Sequence, residues 1–406
     1  MKCGLLGRKL GHSYSPQIHS LLGDYDYSLY EKEPDELEVF LKHGDFTGLN
    51  VTIPYKKSVI AYLDVLSPVA ARLGAVNTIV RRADGTLVGH NSDYFGFRSM
   101  IEGSGLDVSG KKVLVLGSGG ASATAVAVLQ ELHADVVVIS RNSDNNYDNI
   151  QIHADASVIV NTTPVGMYPN VDAAPLSLSA FSKLEGVLDV IYNPARTQLL
   201  MEADRRGIVA MNGLWMLVAQ AKESAQWFTD SQIPDDVIQT VHRKLKQQME
   251  NIVLIGMPGC GKSTIGRALS LATGKTFVDA DSCIEEAAGM SIPDIFAAEG
   301  EAGFRHRETQ VLQQLGMQSG LIIATGGGCV TKAENYSHLH QNGTIFCIHR
   351  RLDLLATDGR PLSRSGKLEE MYRLRKPMYD RFADHHIEND GCIEAAATKI
   401  LSCLEV

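Results

Sequence analysis

The sequence predicts an α/β protein of more than one domain, and three observations carry that reading. Strand-like and helix-like segments alternate nearly everywhere, which implies parallel sheets covered by helices. Two glycine-rich loops, Gly117-Ser-Gly-Gly-Ala-Ser122 and Gly256-Met-Pro-Gly-Cys-Gly-Lys-Ser-Thr264, each follow a short apolar run and open a helical one. The chain has 406 residues, more than one hydrophobic core usually organises.

Composition narrows the function classes. Apolar residues make up 44% and charged residues 21%, ordinary for a soluble globular chain. Net charge is −9, of which residues 251–406 contribute −3 (16 Lys+Arg, 19 Asp+Glu) and the rest −6. Neither part is basic, which argues against a nucleic-acid or anionic-membrane partner. No apolar run approaches the ~20 residues of a membrane span, and the start is too short in apolar residues for a signal peptide. Seven cysteines without a C-x-x-C pair read as reduced thiols, so a cytoplasmic location is expected.

The first glycine loop lies between an apolar strand, Val113–Leu116, and a helical run, Ala121–Leu132. Such a turn aims backbone N–H groups at a phosphate. Its pattern is G-x-G-x-x-S, so a serine replaces the third glycine of the dinucleotide fingerprint. The next strand, Asp135–Ile139, ends in Ser140-Arg141-Asn142. An arginine there suits a ribose 2′-phosphate, where an acidic residue would suit a free hydroxyl. NADP is therefore expected over NAD; the plainer role for Arg141 is a surface ion pair. Only a short polar stretch separates Arg141 from the next strand, Ser157–Val160, so this lobe reads as trimmed.

Four polar clusters precede that loop: His12-Ser-Tyr-Ser-Pro16, Asn50-Val-Thr-Ile-Pro-Tyr-Lys-Lys57, Gly74-Ala-Val-Asn-Thr78 and His90-Asn-Ser-Asp93. Each could be turn chemistry alone. Together they suit a small polyhydroxylated ligand. With the glycine loop, and in this order, they resemble shikimate dehydrogenase. The resemblance implies that Ser13 and Ser15 hold the substrate carboxylate. Thr52, Asn77 and Gln220 would bind ring hydroxyls, Tyr192 would add a contact, and Lys56 with Asp93 would form the catalytic pair. Gly117, Ser118, Gly119, Gly120 and Ala121 would cradle the cofactor, with Val190 and Gly213 touching it. A lysine supplies the proton and positive charge that a developing alkoxide needs. Otherwise Lys56 would be a solvated surface lysine, as Lys57 is expected to be.

The second loop satisfies the whole G-x-x-x-x-G-K-[ST] pattern of a nucleoside-triphosphate site. Gly259, Cys260, Gly261, Lys262, Ser263 and Thr264 would wrap the phosphates. Lys262 would neutralise charge and the Ser263 hydroxyl would ligate Mg2+. Cys260 sits at a helix start, where a reactive thiol whose alkylation blocks ATP binding is one expectation and simple loop filling the other. Phe277-Val-Asp-Ala-Asp281, Gly300-Glu-Ala-Gly-Phe-Arg305, Ala324-Thr-Gly-Gly-Gly328, Gly359-Arg-Pro361 and Arg375-Lys-Pro-Met-Tyr379 resemble shikimate kinase. By that resemblance Asp279 reaches the metal through water, and Asp281 orients or deprotonates the nucleophile. Arg305 and Arg375 clamp the carboxylate, Gly327 gives a backbone contact, and Arg360 stabilises the transferring phosphoryl from a short lid. The triple glycine is expected to let backbone approach the substrate ring. Arg305 also has helix ion-pair partners in Glu301 and Glu308.

The expected architecture is then α/β throughout. Residues 1–98 and 212–249 form a substrate lobe, 99–211 a Rossmann-like NADP lobe, and 250–406 a P-loop domain like the nucleoside-monophosphate kinases. The implied function is bifunctional: NADPH-dependent reduction of 3-dehydroshikimate, then ATP-dependent phosphorylation of shikimate. Alternatives are a first half acting on quinate, or one half kept as a ligand-binding regulatory module. A homodimer is compatible with the sequence. Almost no Gly/Ser/Pro linker marks the junction near Glu250, so a flexible tether is not expected.

Overall fold

A computed structural model of the chain describes residues 1–11, 13–355 and 367–404. Contacts divide it into two compact units. Unit one comprises Met1–Met167, Asp172–Tyr192 and Leu199–Lys244; unit two comprises Tyr168–Val171, Asn193–Gln198 and Leu245–Val406.

Unit one holds two sheets. The first contains β1 (Lys2–Gly7), β2 (Asp26–Glu31), β3 (Gly48–Val51), β4 (Val65–Leu66), β5 (Thr78–Arg81) and β6 (Leu87–His90), in the order β2-β1-β3-β5-β6-β4. It is mixed, contrary to the expectation of parallel sheets alone: β5 runs antiparallel to β3 and to β6. The cause is local. Asp84-Gly85 closes a hairpin in which the Thr86 N–H donates to Asp84 Oδ1 at 2.9 Å and Gly85 takes φ 90°, the left-handed geometry such turns need.

The second sheet is wholly parallel: β7 (Lys112–Leu116), β8 (Asp135–Ile139), β9 (Val158–Asn161), β10 (Gly186–Asp189) and β11 (Val209–Met211), in the order β11-β10-β9-β7-β8. Its central strands β7, β9 and β10 are covered on both faces and so read as continuous apolar runs; Val113 to Leu116 are fully buried. Between β8 and β9 the described chain forms only turns and one short 3-10 segment, Ile150–His153. The lobe is trimmed as expected, and β8 is left at the sheet edge.

Unit two is built on a third parallel sheet: β12 (Asn251–Ile255), β13 (Thr276–Asp279), β14 (Leu321–Ala324), β15 (Gly343–His349) and β16 (His385–Glu388), in the order β13-β14-β12-β15-β16. The central strand β12 is buried along its whole length. The preceding helix, Asp236–Met249, ends one residue short of it.

Candidate active sites

In unit one three of the four polar clusters, those at 50–57, 74–78 and 90–93, meet at the C-terminal ends of β3 and β6. The chain turns sharply after β3, and Lys56 lies in that turn; Asp93 opens the helix Ser92–Ser104 directly after β6. Lys56 Nζ donates to Asp93 Oδ2 at 2.6 Å, with both side chains partly open to solvent. Thr52, Ser13, Ser15, Tyr192 and Gln220 are half-buried, as an accessible polar pocket requires. Ser13 Oγ accepts from the Ser15 N–H at 3.2 Å. Tyr192 stands edge-on to Tyr14, and burial pushes its hydroxyl pKa up. His12 lies outside the described residues.

Beneath these groups runs a buried hydroxyl–amide network. Asn77 Oδ1 accepts from the Ser92 N–H at 2.7 Å and from Thr78 Oγ1 at 3.1 Å. Ser224 Oγ contacts Asn50 Nδ2 at 2.7 Å, Thr78 Oγ1 at 2.9 Å and Ser92 Oγ at 2.9 Å. Ser92 Oγ also donates to Gln220 Oε1 at 3.3 Å. The helices carrying Asp93 and Gln220 touch through Gly96, where a Cβ would lie 2.8 Å from Met216 O and 2.9 Å from Gln220 Cβ. Asn77, Asp93 and Gln220 are thus registered against one another before any ligand arrives. Ser224 was missed in the sequence. Its only signal is its place one helical turn beyond Gln220.

The glycine loop follows β7. Gly117 has φ 107° and faces Thr162 and Thr163. Ser118 to Ala121 are exposed, and the helix Gly120–Glu131 begins there. Ser122, at the third-glycine position, turns inward and is buried. Arg141 is exposed just past β8. Val190 and Gly213 lie together: a Cβ on Gly213 would come within 2.0 Å of Val190 O. The loop, Arg141 and this contact therefore border the C-terminal edge of the second sheet, where ligands bind in open α/β folds.

In unit two β12 runs into the second loop, and Gly256, Gly259 and Gly261 all take positive φ. Lys262 opens the helix Lys262–Thr273. Its ammonium folds back over the loop, donating to Gly256 O at 2.9 Å and Met257 O at 3.1 Å. Ser263 Oγ donates to Asp279 Oδ2 at 2.7 Å. Asp279 caps the helix Ala280–Ala288 by accepting from the Asp281 N–H at 3.1 Å. Thr264 is exposed. The Cys260 thiol is fully buried, so the alkylation expectation fails on access; the residue fills the loop, and its carbonyl accepts from Asn389 Nδ2 at 2.7 Å.

Across from the loop, Arg305 is buried and Arg375 half-buried. Gly300 bends the helix Ile292–Met317 with φ 70°, setting the direction of the turn that carries Arg305. Arg305 Nη1 donates to Glu308 Oε2 at 2.6 Å and Nη2 lies 3.5 Å from Glu301. Both expected ion pairs are present. Arg375 donates to Gly327 O at 3.2 Å, and Tyr379 Oη donates to the same carbonyl. The triple glycine is also packed against the protein's own groups. A Cβ on Gly328 would meet Arg305 Nη2 at 2.1 Å, on Gly327 Pro258 Cδ at 2.6 Å, and on Gly326 the carboxylates of Asp281 and Glu308 at 2.8 Å. These approaches alone demand glycine at all three positions. Burial and the nearby Asp281 charge raise the Glu308 pKa, against the Arg305 guanidinium. Arg360 and the rest of Gly359-Arg-Pro361 lie outside the described residues.

Residues 5–79 match the shikimate dehydrogenase substrate binding domain. The chain is 34% identical over 265 residues to a shikimate dehydrogenase (NADP(+)) of Clostridium perfringens, covering 60% of this chain and 97% of that protein. The chain belongs to the shikimate dehydrogenase family. Residues 258–405 match the shikimate kinase family, so the dehydrogenase is fused to a kinase and the chain is a bifunctional shikimate-pathway enzyme. A chorismate mutase/shikimate 5-dehydrogenase fusion from Clostridium acetobutylicum is similar in structure (TM-score 0.58, 34% identity, 61% of this chain and 97% of that one). So is shikimate 5-dehydrogenase from Thermus thermophilus, solved with NADP(H) and shikimate (TM-score 0.55, 29% identity, 60% and 99%). Among the described residues no helix is long and apolar enough to cross a membrane.

Proposed function

We propose that this fusion reduces 3-dehydroshikimate with NADPH and phosphorylates the resulting shikimate with ATP, in the cytoplasm. Residues 1–98 and 212–249 would serve as the substrate lobe, 99–211 as the NADP lobe and 250–406 as the kinase. The observation that carries the reading is the 2.6 Å contact of Lys56 with Asp93, set among half-buried hydroxyl and amide side chains.

In the first reaction Ser13 and Ser15 hold the carboxylate, while Thr52, Asn77, Gln220 and Tyr192 hold the ring. Gly117, Ser118, Gly119, Gly120 and Ala121 would hold NADPH and Arg141 would pair with its 2′-phosphate; when bound, that cofactor would supply a hydride. The Lys56 ammonium donates a proton to the carbonyl oxygen as charge develops there. Asp93 keeps that ammonium aimed at the oxygen and accepts a hydrogen bond from the substrate.

In the second reaction Arg305 and Arg375 clamp the carboxylate with planar forks. Asp281 orients the ring hydroxyl that becomes the nucleophile. Lys262 leaves its carbonyl partners for the phosphates of ATP, and Arg360 offsets charge on the transferring group. Ser263 Oγ and Asp279 Oδ2, 2.7 Å apart, are hard oxygen donors that fit Mg2+, directly or through water. When bound, Mg2+ neutralises phosphate charge.

Two separate assays on the whole chain test this: NADPH oxidation with 3-dehydroshikimate, and ADP release with shikimate. Turnover in both is expected. A folded protein that fails either one sinks that half of the reading.

A further inference from the structure

The kinase sheet carries a second group of chemically distinctive side chains that neither reaction uses. Cys347 and His349 are two residues apart on β15, and successive side chains of a strand point to opposite faces. They therefore share a face. On the neighbouring strand β16, His386 pairs in register with Cys347, which brings it to that same face. The Cys347 sulfur and one ring nitrogen of each histidine all lie within 4.8 Å of one another. His349 Nε2 and His386 Nδ1 are 2.7 Å apart, with the rings stacked at 5.0 Å. Cys347 is buried, His349 half-buried and His386 exposed, so the group is anchored in the core and opens to solvent through its histidines.

We propose that Cys347, His349 and His386 form a binding site for a borderline-soft divalent cation of the Zn2+ class. One sulfur and two imidazole nitrogens are a ligand set that such a cation accepts, with the fourth tetrahedral position left to water. Mg2+ prefers oxygen ligands, so the set discriminates against the metal expected at Ser263 and Asp279. The 2.7 Å contact already holds one proton between two ring nitrogens. A cation would take the place of that shared proton, which moves through solvent to the other nitrogen of the same ring, so that both imidazoles stay neutral and each turns a lone pair toward the ion. The Cys347 thiol would lose its proton to solvent as its sulfur becomes a ligand. Thiol and rings must close on the ion by rotation of their side chains, with the strands staying paired.

The site would brace the wall of the phosphate loop. Cys347 pairs with Ile255, the last residue of β12 before that loop. The His349 carbonyl accepts from the Asn389 N–H at 2.7 Å, and Asn389 Nδ2 in turn holds Cys260 O. An ion joining β15 to β16 would bind the folded domain and not the unfolded chain, which stabilises the fold by mass action.

The test uses the whole protein, stripped with a chelator and then titrated with Co2+ as a spectroscopic stand-in for Zn2+. The expected result is one Co2+ per chain with a thiolate-to-cobalt charge-transfer band, displaced by Zn2+ and indifferent to excess Mg2+. His386→Ala changes an exposed side chain and should leave the fold intact while sharply weakening binding. Cys347→Ser should remove the charge-transfer band. Zn2+ should raise the kinase unfolding temperature of the unmodified protein and not that of His386→Ala. Absence of a thiolate band in the unmodified protein would overturn the proposal, as would a band and a Zn2+ stabilisation that persist unchanged in His386→Ala.

Discussion

Glu308 grips Arg305 with only one of its two carboxylate oxygens. Oε2 accepts from Arg305 Nη1 at 2.6 Å, while Oε1, like Arg305 Nε, is buried without a hydrogen-bond partner among the described residues. Buried polar atoms are normally satisfied, so an open acceptor and an open donor suit a site that completes its hydrogen bonds when a substrate hydroxyl or water enters.

That relationship makes Glu308 a residue whose loss should cost the kinase stability. Glu308→Ala would strip a buried guanidinium of its buried ion-pair partner, leaving the exposed Glu301 at 3.5 Å, a change of ~3–5 kcal/mol. Glu308→Gln keeps an acceptor for Arg305 and should lose less than half as much. Both tryptophans, Trp215 and Trp227, precede the kinase domain. Kinase unfolding is therefore read as the circular-dichroism transition that tryptophan fluorescence does not follow. Equal losses in the two variants would mean that the pair contributes packing and not charge.

Lys56 and Lys262 serve different proposed reactions, so their substitutions should separate cleanly. Lys56→Ala should lower NADPH oxidation by ~10²–10⁴-fold, the range of a lost acid–base group, with ADP release intact. Lys262→Ala should do the reverse. Parallel loss of both rates in either folded variant would contradict two independent centres.

Arg141 tests how the cofactor is read. Its exposed side chain follows β8 with no intervening structure. Arg141→Asp exchanges a phosphate partner for a repelling carboxylate. A charge-assisted hydrogen bond contributes ~1.5–3 kcal/mol, so the NADP/NAD ratio of kcat/KM should fall about tenfold or more. An unchanged ratio would assign the 2′-phosphate to another residue.

Both glycine loops were legible in the sequence because their turn chemistry is local. A strand, its glycines and the following helix are consecutive, and backbone geometry alone demands the residue types. The catalytic groupings are not local. Lys56 meets Asp93 only after β3, β5 and β6 assemble, so spacing could not pair them and the family resemblance had to. Ser224 was invisible for a different reason: it lies a turn along a helix from Gln220, where a serine has an ordinary reading. Glu308 was legible as a helix ion-pair partner of Arg305, but its complete burial depends on tertiary packing. The antiparallel β5 was legible in Asp84-Gly85 but overlooked, since the alternation of strands and helices dominated. Cys347, His349 and His386 become a group only through the pairing of β15 with β16.

The last prediction concerns acid stability of the dehydrogenase part. His19 is buried, stacked on Tyr27 at 4.1 Å, with Nδ1 2.6 Å from Tyr25 Oη. Nε2 has no hydrogen-bond partner among the described residues. Burial lowers its pKa from 6.5 to about 3. Below pH 6.5 the unfolded chain takes up a proton that the folded protein refuses. Stability therefore falls as pH drops through this window, and the loss is complete only near pH 3. By pH 5 His19 alone should remove ~2 kcal/mol. His19→Phe keeps an aromatic ring between Tyr27 and Phe228 and removes the titration. It should be less stable than the parent at pH 7.5, because the Tyr25 contact is gone, yet lose less on going to pH 5. Urea unfolding followed by tryptophan fluorescence isolates this part of the chain and gives both slopes. Identical pH slopes in parent and variant would show that the acid sensitivity belongs to other groups and that His19 accepts its proton without unfolding.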